Sequence, residues 1–323
     1  MFTASGEAIT FTLTDDTQIT VEQGSETTDG TVDDIKEGSD ASNGTAATTI
    51  DADTTADGET YSSTGDDENA LRVDGATVTL DGVTVDKSAG ATSNTENGDF
   101  YGVNATLTAN HSEALVIEGK NSIVLENCAV TGSMSDTQGA SSDENVHTVM
   151  IYQSMSGDAD VGTSTFTMTG GSLTGKNGDL FYVTNTHCVL TLSGVTLRNE
   201  DADACLLRAV GNSASRGWGT AGANGAQVEF TADAQTLEGD IVVDTISTLD
   251  LTLKNGSGFT GTVNIIENAQ GGTAVSDNAV VTVESGCTWT LTGDCVITSL
   301  TNNGTINYNG HTITLADGTV LRG

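Results

Sequence analysis

Three groups of residues have the types and spacing to do chemistry. The first is Arg72, Tyr182 and Arg208, each the outward position of a short apolar strand: Ala70-Leu71-Arg72-Val73, Leu180-Phe181-Tyr182-Val183 and Leu206-Leu207-Arg208-Ala209. Tyrosine offers a flat apolar ring with a polar tip for a sugar face, and a guanidinium pairs with carboxylates. The second group is Arg216 and Trp218, in the Gly-rich stretch from Gly211 to Gly225. The third is Asp158-Ala-Asp160 and Asp201-Ala-Asp203, alternate carboxylates that suit calcium.

Each group has a plainer reading. A loop or the N-terminal segment could cover the Arg/Tyr strip, Trp218 could tuck back onto the protein, and Asp is common in turns. No cofactor is expected, calcium at Asp158, Asp160, Asp201 and Asp203 being the one candidate. No catalytic set stands out. The four histidines are scattered, and pairs such as Asp15-Asp16, Asp33-Asp34 and Asp66-Asp67 fall in loops rather than at successive strand positions.

The elements that must carry these residues come from a recurring motif. It appears as Thr-Val-Thr-Leu-Asp-Gly-Val-Thr-Val (Thr77 to Val85), Ser-Ile-Val-Leu-Glu-Asn-Cys-Ala-Val (Ser122 to Val130), Thr-Phe-Thr-Met-Thr-Gly-Gly-Ser-Leu (Thr165 to Leu173) and Val-Leu-Thr-Leu-Ser-Gly-Val-Thr-Leu (Val189 to Leu197). Alternation with a period of two predicts strands. The Gly or Asn between them predicts a bend at positive φ. Repetition predicts one turn of a stacked structure per copy, with Leu80, Leu125, Met168 and Leu192 in one interior column. A second short strand precedes each motif. There one face reads Leu71, Leu115, Met150, Phe181, Leu207 as core, and the other Arg72, Val116, Ile151, Tyr182, Arg208.

The intervals between copies are unequal. That fits an all-β, right-handed parallel β-helix, a solenoid with irregular corner loops, over residues 69–323 with a C-terminal cap. Residues 1–68 read as N-terminal cap strands followed by a polar, acidic excursion. Between Asp86 and Ser112 the middle of a coil looks missing, as if repeats had been lost. Thr-x-Thr pairs (Thr77/Thr79, Thr165/Thr167, Thr288/Thr290) raise ice binding. However, Ser122/Val124 and Gln227/Glu229 interrupt the rank, and Thr is a strand former.

Composition narrows the partners. Of 323 residues, 45 are Asp or Glu and 10 are Lys or Arg, for a formal net charge of −35. That disfavours nucleic acid and anionic membranes, which need a basic footprint. No apolar run is long enough to insert in a bilayer, and no apolar leader follows Met1. Five cysteines without CxxC spacing argue against zinc and against a full disulfide framework. Cys128 aligns with inward positions and reads as a small buried hydrophobe.

On the strand pairs within Ala114 to Val130, Asp179 to Leu197 and Thr245 to Thr262, the chain resembles the pectate-lyase-type right-handed β-helix superfamily. More narrowly, it is similar to uncharacterised secreted or surface β-helix proteins of gut bacteria, some related to carbohydrate-binding β-helix domains. The resemblance implies a secreted or cell-surface location and glycan binding. It does not bring an enzyme's site with it, because arginines are few and no Gly-His-Gly signature is present. The expected function is a non-enzymatic, adhesin-like solenoid binding a glycan or host-surface ligand. The alternatives are a polysaccharide lyase or hydrolase with a divergent site, or a stalk whose function is length.

Overall fold

The computed structural model describes residues 9–12, 18–21, 45–64, 68–74, 76–87, 93–96, 99–110, 113–134, 146–153, 159–211 and 220–323. The chain divides into two compact units, Met1–Lys36 and Glu37–Gly323. In the first, Ile9–Thr12 pairs antiparallel with Gln18–Val21.

The second unit is all strand, in long parallel sheets with a solenoid-like repeat. Each coil gives one strand to each of three sides, as in Leu115–Glu118, Ser122–Glu126 and Ala129–Gly132. The sides are a twelve-stranded sheet, a ten-stranded sheet, and a third that runs as a six-stranded and then a four-stranded sheet. The stretch from residue 45 is not a loose excursion. Thr49–Ile50, Thr54–Asp57 and Thr60–Ser63 pair in parallel with the strands of the next coil.

The alternation rule places the core. Leu80, Leu125, Met168 and Leu192 do share one interior column, with Gly102 between the first two and Ala232, Leu253 and Val283 after the last. All four side chains are fully buried. Beside them runs Val78, Phe100, Ile123, Phe166, Leu190, Phe230, Leu251 and Val281. In the four-stranded sheet Phe259 stacks on Trp289 at 5.7 Å, and the buried indole N–H donates to the Gly261 carbonyl.

The bend predicted at Gly or Asn is present. The residue leaving the ten-stranded sheet has positive φ in successive coils: Gly82, Asn104, Asn127, Gly170, Gly194, Ala234 and Asn255. The left-handed conformation turns the chain towards the third side, and the Asn side chain serves it by bonding across coils. Asn104 donates to Asp81 and Asn255 donates to Asp233.

Two expectations need correction. No coil is missing between Asp86 and Ser112: Ser93–Glu96, Asp99–Val103 and Thr106–Ala109 form a complete one. It escaped the motif because Ser93 and Thr95 stand where neighbouring coils have Leu and Val or Ile, and Gly102 stands in the Leu column. A Cβ at Gly102 would lie 2.9 Å from Leu125, which already fills that space. The second correction concerns the strand His147–Tyr152. Its register pairs Val149 with Leu115 and Phe181, so Val149 and Ile151 face the core and Met150 faces outward. Met150 and Ile151 therefore exchange the faces expected of them.

Candidate functional site

The outward column of the twelve-stranded sheet runs Arg72, Val116, Met150, Tyr182, Arg208, with the Asn94 backbone in register between the first two. The stacked coils thus align Arg72, Tyr182 and Arg208 as the repeat implied. They do not display them. Tyr182 is 2% exposed and forms a second apolar cluster with Val116 and Met150, against which Tyr152 and Val210 pack. Its ring lies 4.9 Å from that of buried His147, which is 3.4 Å from Glu113. Arg208 donates through Nε to Asp179 Oδ2 at 2.6 Å, while Asp179 Oδ1 accepts the Cys205 amide. The guanidinium is thus matched by a nearly buried carboxylate of the protein itself. A ligand has no access to the Tyr182 ring in this arrangement, and Arg72 is half-buried.

Arg216 and Trp218 lie outside the described residues, as does Asp158. Asp201 has both carboxylate oxygens engaged by backbone, Oδ2 by the Gly178 amide and Oδ1 by the Asp203 amide. Asp160 contributes its backbone carbonyl to the Lys120 amide. Among the described residues no group of three or more His, Cys, Asp or Glu is placed to hold a metal ion.

All five cysteines are free and buried. Burial pushes the thiols of Cys128, Cys188, Cys205 and Cys295 up, Cys205 to about 12 and Cys295 to about 11. They stay protonated at neutral pH and are poor nucleophiles.

The open surface is the outward face of the ten-stranded sheet. One row runs Thr79, Tyr101, Val124, then Thr167, Thr191, Thr231, Thr252, Thr282 and Thr301 without a break. Tyr101 and most of these threonines are half-exposed. The six threonines form a longer rank than the sequence spacing suggested, because Thr231, not Glu229, continues it. The neighbouring row, Thr165, Val189, Glu229, Asp250, Val280, is mixed, so no rank of Thr pairs exists.

The chemistry lies between that mixed row, which holds Glu229 and Asp250, and the next, which runs Thr163, His187, Gln227. Thr163, His187 and Glu229 come from three adjacent coils. His187 Nε2 is 2.8 Å from Glu229 Oε1, and Nδ1 is 3.0 Å from Thr163 Oγ1. An ionised carboxylate only accepts, so a neutral His187 ring would carry its proton on Nε2 and accept from the Thr163 hydroxyl at Nδ1. Asp250 sits in register with Glu229, one coil on. Partial burial, and then the Glu229 charge, raise its pKa above the ordinary carboxylate value. Hydroxyl, imidazole and carboxylate in this order form the relay of acyl-transfer enzymes. Here it lies on the surface, with His187 39% and Glu229 62% exposed. Water is not excluded, so the low-dielectric condition that strengthens such a relay is not met.

Sequence reading missed Tyr101, although Phe100 inward and Tyr101 outward follow from simple alternation. It also missed the Glu229/Asp250 pair, for which single-chain spacing holds no signal. Comparison of the chain with protein-family models, with curated proteins and with solved structures finds no match.

Proposed function

We propose that this chain is a non-enzymatic, adhesin-like β-solenoid of secreted or cell-surface location. In this reading it is right-handed, belongs with the pectate-lyase-like superfamily, and binds a neutral glycan on the outward face of its ten-stranded sheet. The observation that carries the reading is the row Tyr101, Val124, Thr167, Thr191, Thr231, Thr252, Thr282: a half-exposed aromatic, then a valine, then hydroxyls stepped one per coil on a partly exposed face. Strands repeat at about 4.8 Å, so the hydroxyls form a straight ladder that an extended polymer could follow. The aromatic supplies apolar contact and the hydroxyls supply orientation. A net charge of −35 makes anionic, uronic-acid-rich glycans poor ligands. Arg208, which could have offset that, is occupied by Asp179.

A glycan array run with and without calcium tests the reading. The expected hits are neutral glycans, and Tyr101→Ala should weaken them by about 1–3 kcal/mol with melting temperature unchanged. Binding that survives Tyr101→Ala, or hits confined to uronic-acid glycans, would remove this face from consideration. No hit in either condition would favour a stalk, and turnover of a hit would favour the lyase or hydrolase reading.

A further inference from the structure

The C-terminal end of the solenoid differs from the rest of the chain in charge. From Cys295 to Ala316 there is no Asp, Glu, Lys or Arg. This stretch builds the last full coil, Cys295–Ile297, Ser299–Asn302 and Thr305–Asn307, and the strand Ile313–Leu315 that stacks on Cys295–Ile297 in the twelve-stranded sheet. The twelve-stranded sheet is closed there by Val320–Leu321, which folds back antiparallel on Ile313–Leu315. The other two sides have no such closure among the described residues. Ser299–Asn302 and Thr305–Asn307 are the terminal strands of the ten-stranded and four-stranded sheets, each with one neighbour.

Strand edges of this kind are usually guarded by charges, proline or bulges. Neither terminal strand has a charged residue, and the chain contains no proline. Between the edges lie Leu300, Ile306, Leu315, Leu321 and Tyr308, apolar side chains only partly buried, whereas Val281 and Trp289 beneath Leu300 and Ile306 are fully covered. Val320 is 48% exposed beside them. Unpaired backbone groups surrounding half-covered apolar side chains make a surface suited to one further layer of strands.

We infer that this end binds a second copy of the chain, end to end about a two-fold axis. Charge selects both the occupant and the orientation. Two chains of −35 repel side by side, whereas the last coil holds no Lys, Arg, Asp or Glu and meets one carboxylate, Asp294, which accepts from Thr312 and lies 3.9 Å from His311. The coil at the opposite end of the same unit exposes Asp51, Asp53, Asp57 and Glu59, which disfavours joining through that end. The hairpin beside the neutral coil adds Asp317 and Arg322, one of each sign. A two-fold axis makes the interface self-complementary and brings Ser299–Asn302 against its own copy antiparallel, the commoner strand pairing.

The test is the mass of the full chain in solution by light scattering coupled to size exclusion, together with sedimentation velocity. The expected result is twice the chain mass, insensitive to salt. Thr301 and Thr305 are exposed, so Thr301→Asp with Thr305→Asp should leave the fold and melting temperature intact. The two-fold axis brings the Thr301 carboxylates of the two copies close together, and the Thr305 carboxylates add negative charge to the same interface, weakening the dimer roughly tenfold or more. Molar salt should restore part of the association by screening that repulsion. Thr106→Asp, exposed on the six-stranded side, should leave the dimer unchanged. A single-chain mass at submillimolar concentration overturns the inference. So does a dimer that persists in the double variant, or one that Thr106→Asp disrupts equally.

Discussion

Replacing Leu192 by Ala probes the link from repeat to packing most directly. Leu192 is fully buried, with Met168 on one side and Ala232 on the other in the same column. The substitution removes three buried carbons, worth about 2.4 kcal/mol at ~0.8 each. The vacated space cannot close easily. Backbones on both sides are fixed by ladders running through the whole sheet, and Ala232 has no side chain long enough to swing in. A residual cavity of roughly 60 Å³ at ~24 cal/mol per Å³ adds about 1.4 kcal/mol, for a total near 4 kcal/mol. Urea unfolding followed by circular dichroism measures this directly. Because a solenoid couples only adjacent coils, hydrogen exchange should rise chiefly in Thr163–Thr169, His187–Ser193 and Gln227–Asp233. A loss below about 1 kcal/mol, or a uniform rise in exchange along the chain, would refute the packing argument.

Ala234 sits at the positive-φ corner with φ 49°, where neighbouring coils have Gly194 and Asn255. The left-handed conformation costs an L-residue with a Cβ about 1–2 kcal/mol, so Ala234→Gly should stabilise by up to ~1 kcal/mol, and Ala234→Asn at least as much if its amide bonds across coils; a lower urea midpoint for both would contradict this. Asp250 ionises less readily in the folded chain than in the unfolded one, through burial and then Glu229. Its contribution is therefore most favourable below the ordinary carboxylate pKa and is lost as pH rises through the higher folded value, so Asp250→Asn should flatten the decline and Glu229→Gln should lower the Asp250 midpoint in an NMR titration. Asp233 is the opposite case, its pKa lowered by the Asn255 amide and by Lys254, so its contribution is present above the ordinary value and fades as pH falls through the lower folded one. Asn255→Ala should raise the Asp233 midpoint, and no movement would show that the amide contact is not populated in solution.

The architecture was legible wherever one face of a strand is buried and the other is wet. Thr77–Asp81, Ser122–Glu126 and Thr163–Thr169 alternate in burial as in sequence, and their Gly or Asn corners adopt positive φ. Legibility failed where both faces are buried. Leu115–Glu118 and Asp179–Thr184 are buried at every position, and His147–Tyr152 at all but the last. A run such as Val149-Met150-Ile151 then carries no period, and its register could be read either way. The exchange of Met150 with Ile151 has this cause. The Arg72–Tyr182–Arg208 column could be read two ways for the same cause, as a ligand strip or as a covered face, and the burial of Val116, Met150 and Tyr182 fits the covered one.

The same principle explains why chemistry on the open face was hidden. Thr163, His187, Glu229 and Asp250 meet only because loops of different lengths return four coils to a common register. No spacing along the chain encodes that meeting, since the lengths of the connections are free so long as the strands stack. In a solenoid, interior columns are specified by side-chain size and show in the sequence. Exterior rows are specified by register alone and show only once the coils are stacked. A ligand surface built from exterior rows can therefore change, one residue per coil, without disturbing the core beneath it. On this chain Tyr101 and the threonine ladder rest on Phe100, Met168, Leu192 and Leu253, which pack the same way whatever the outward residue is.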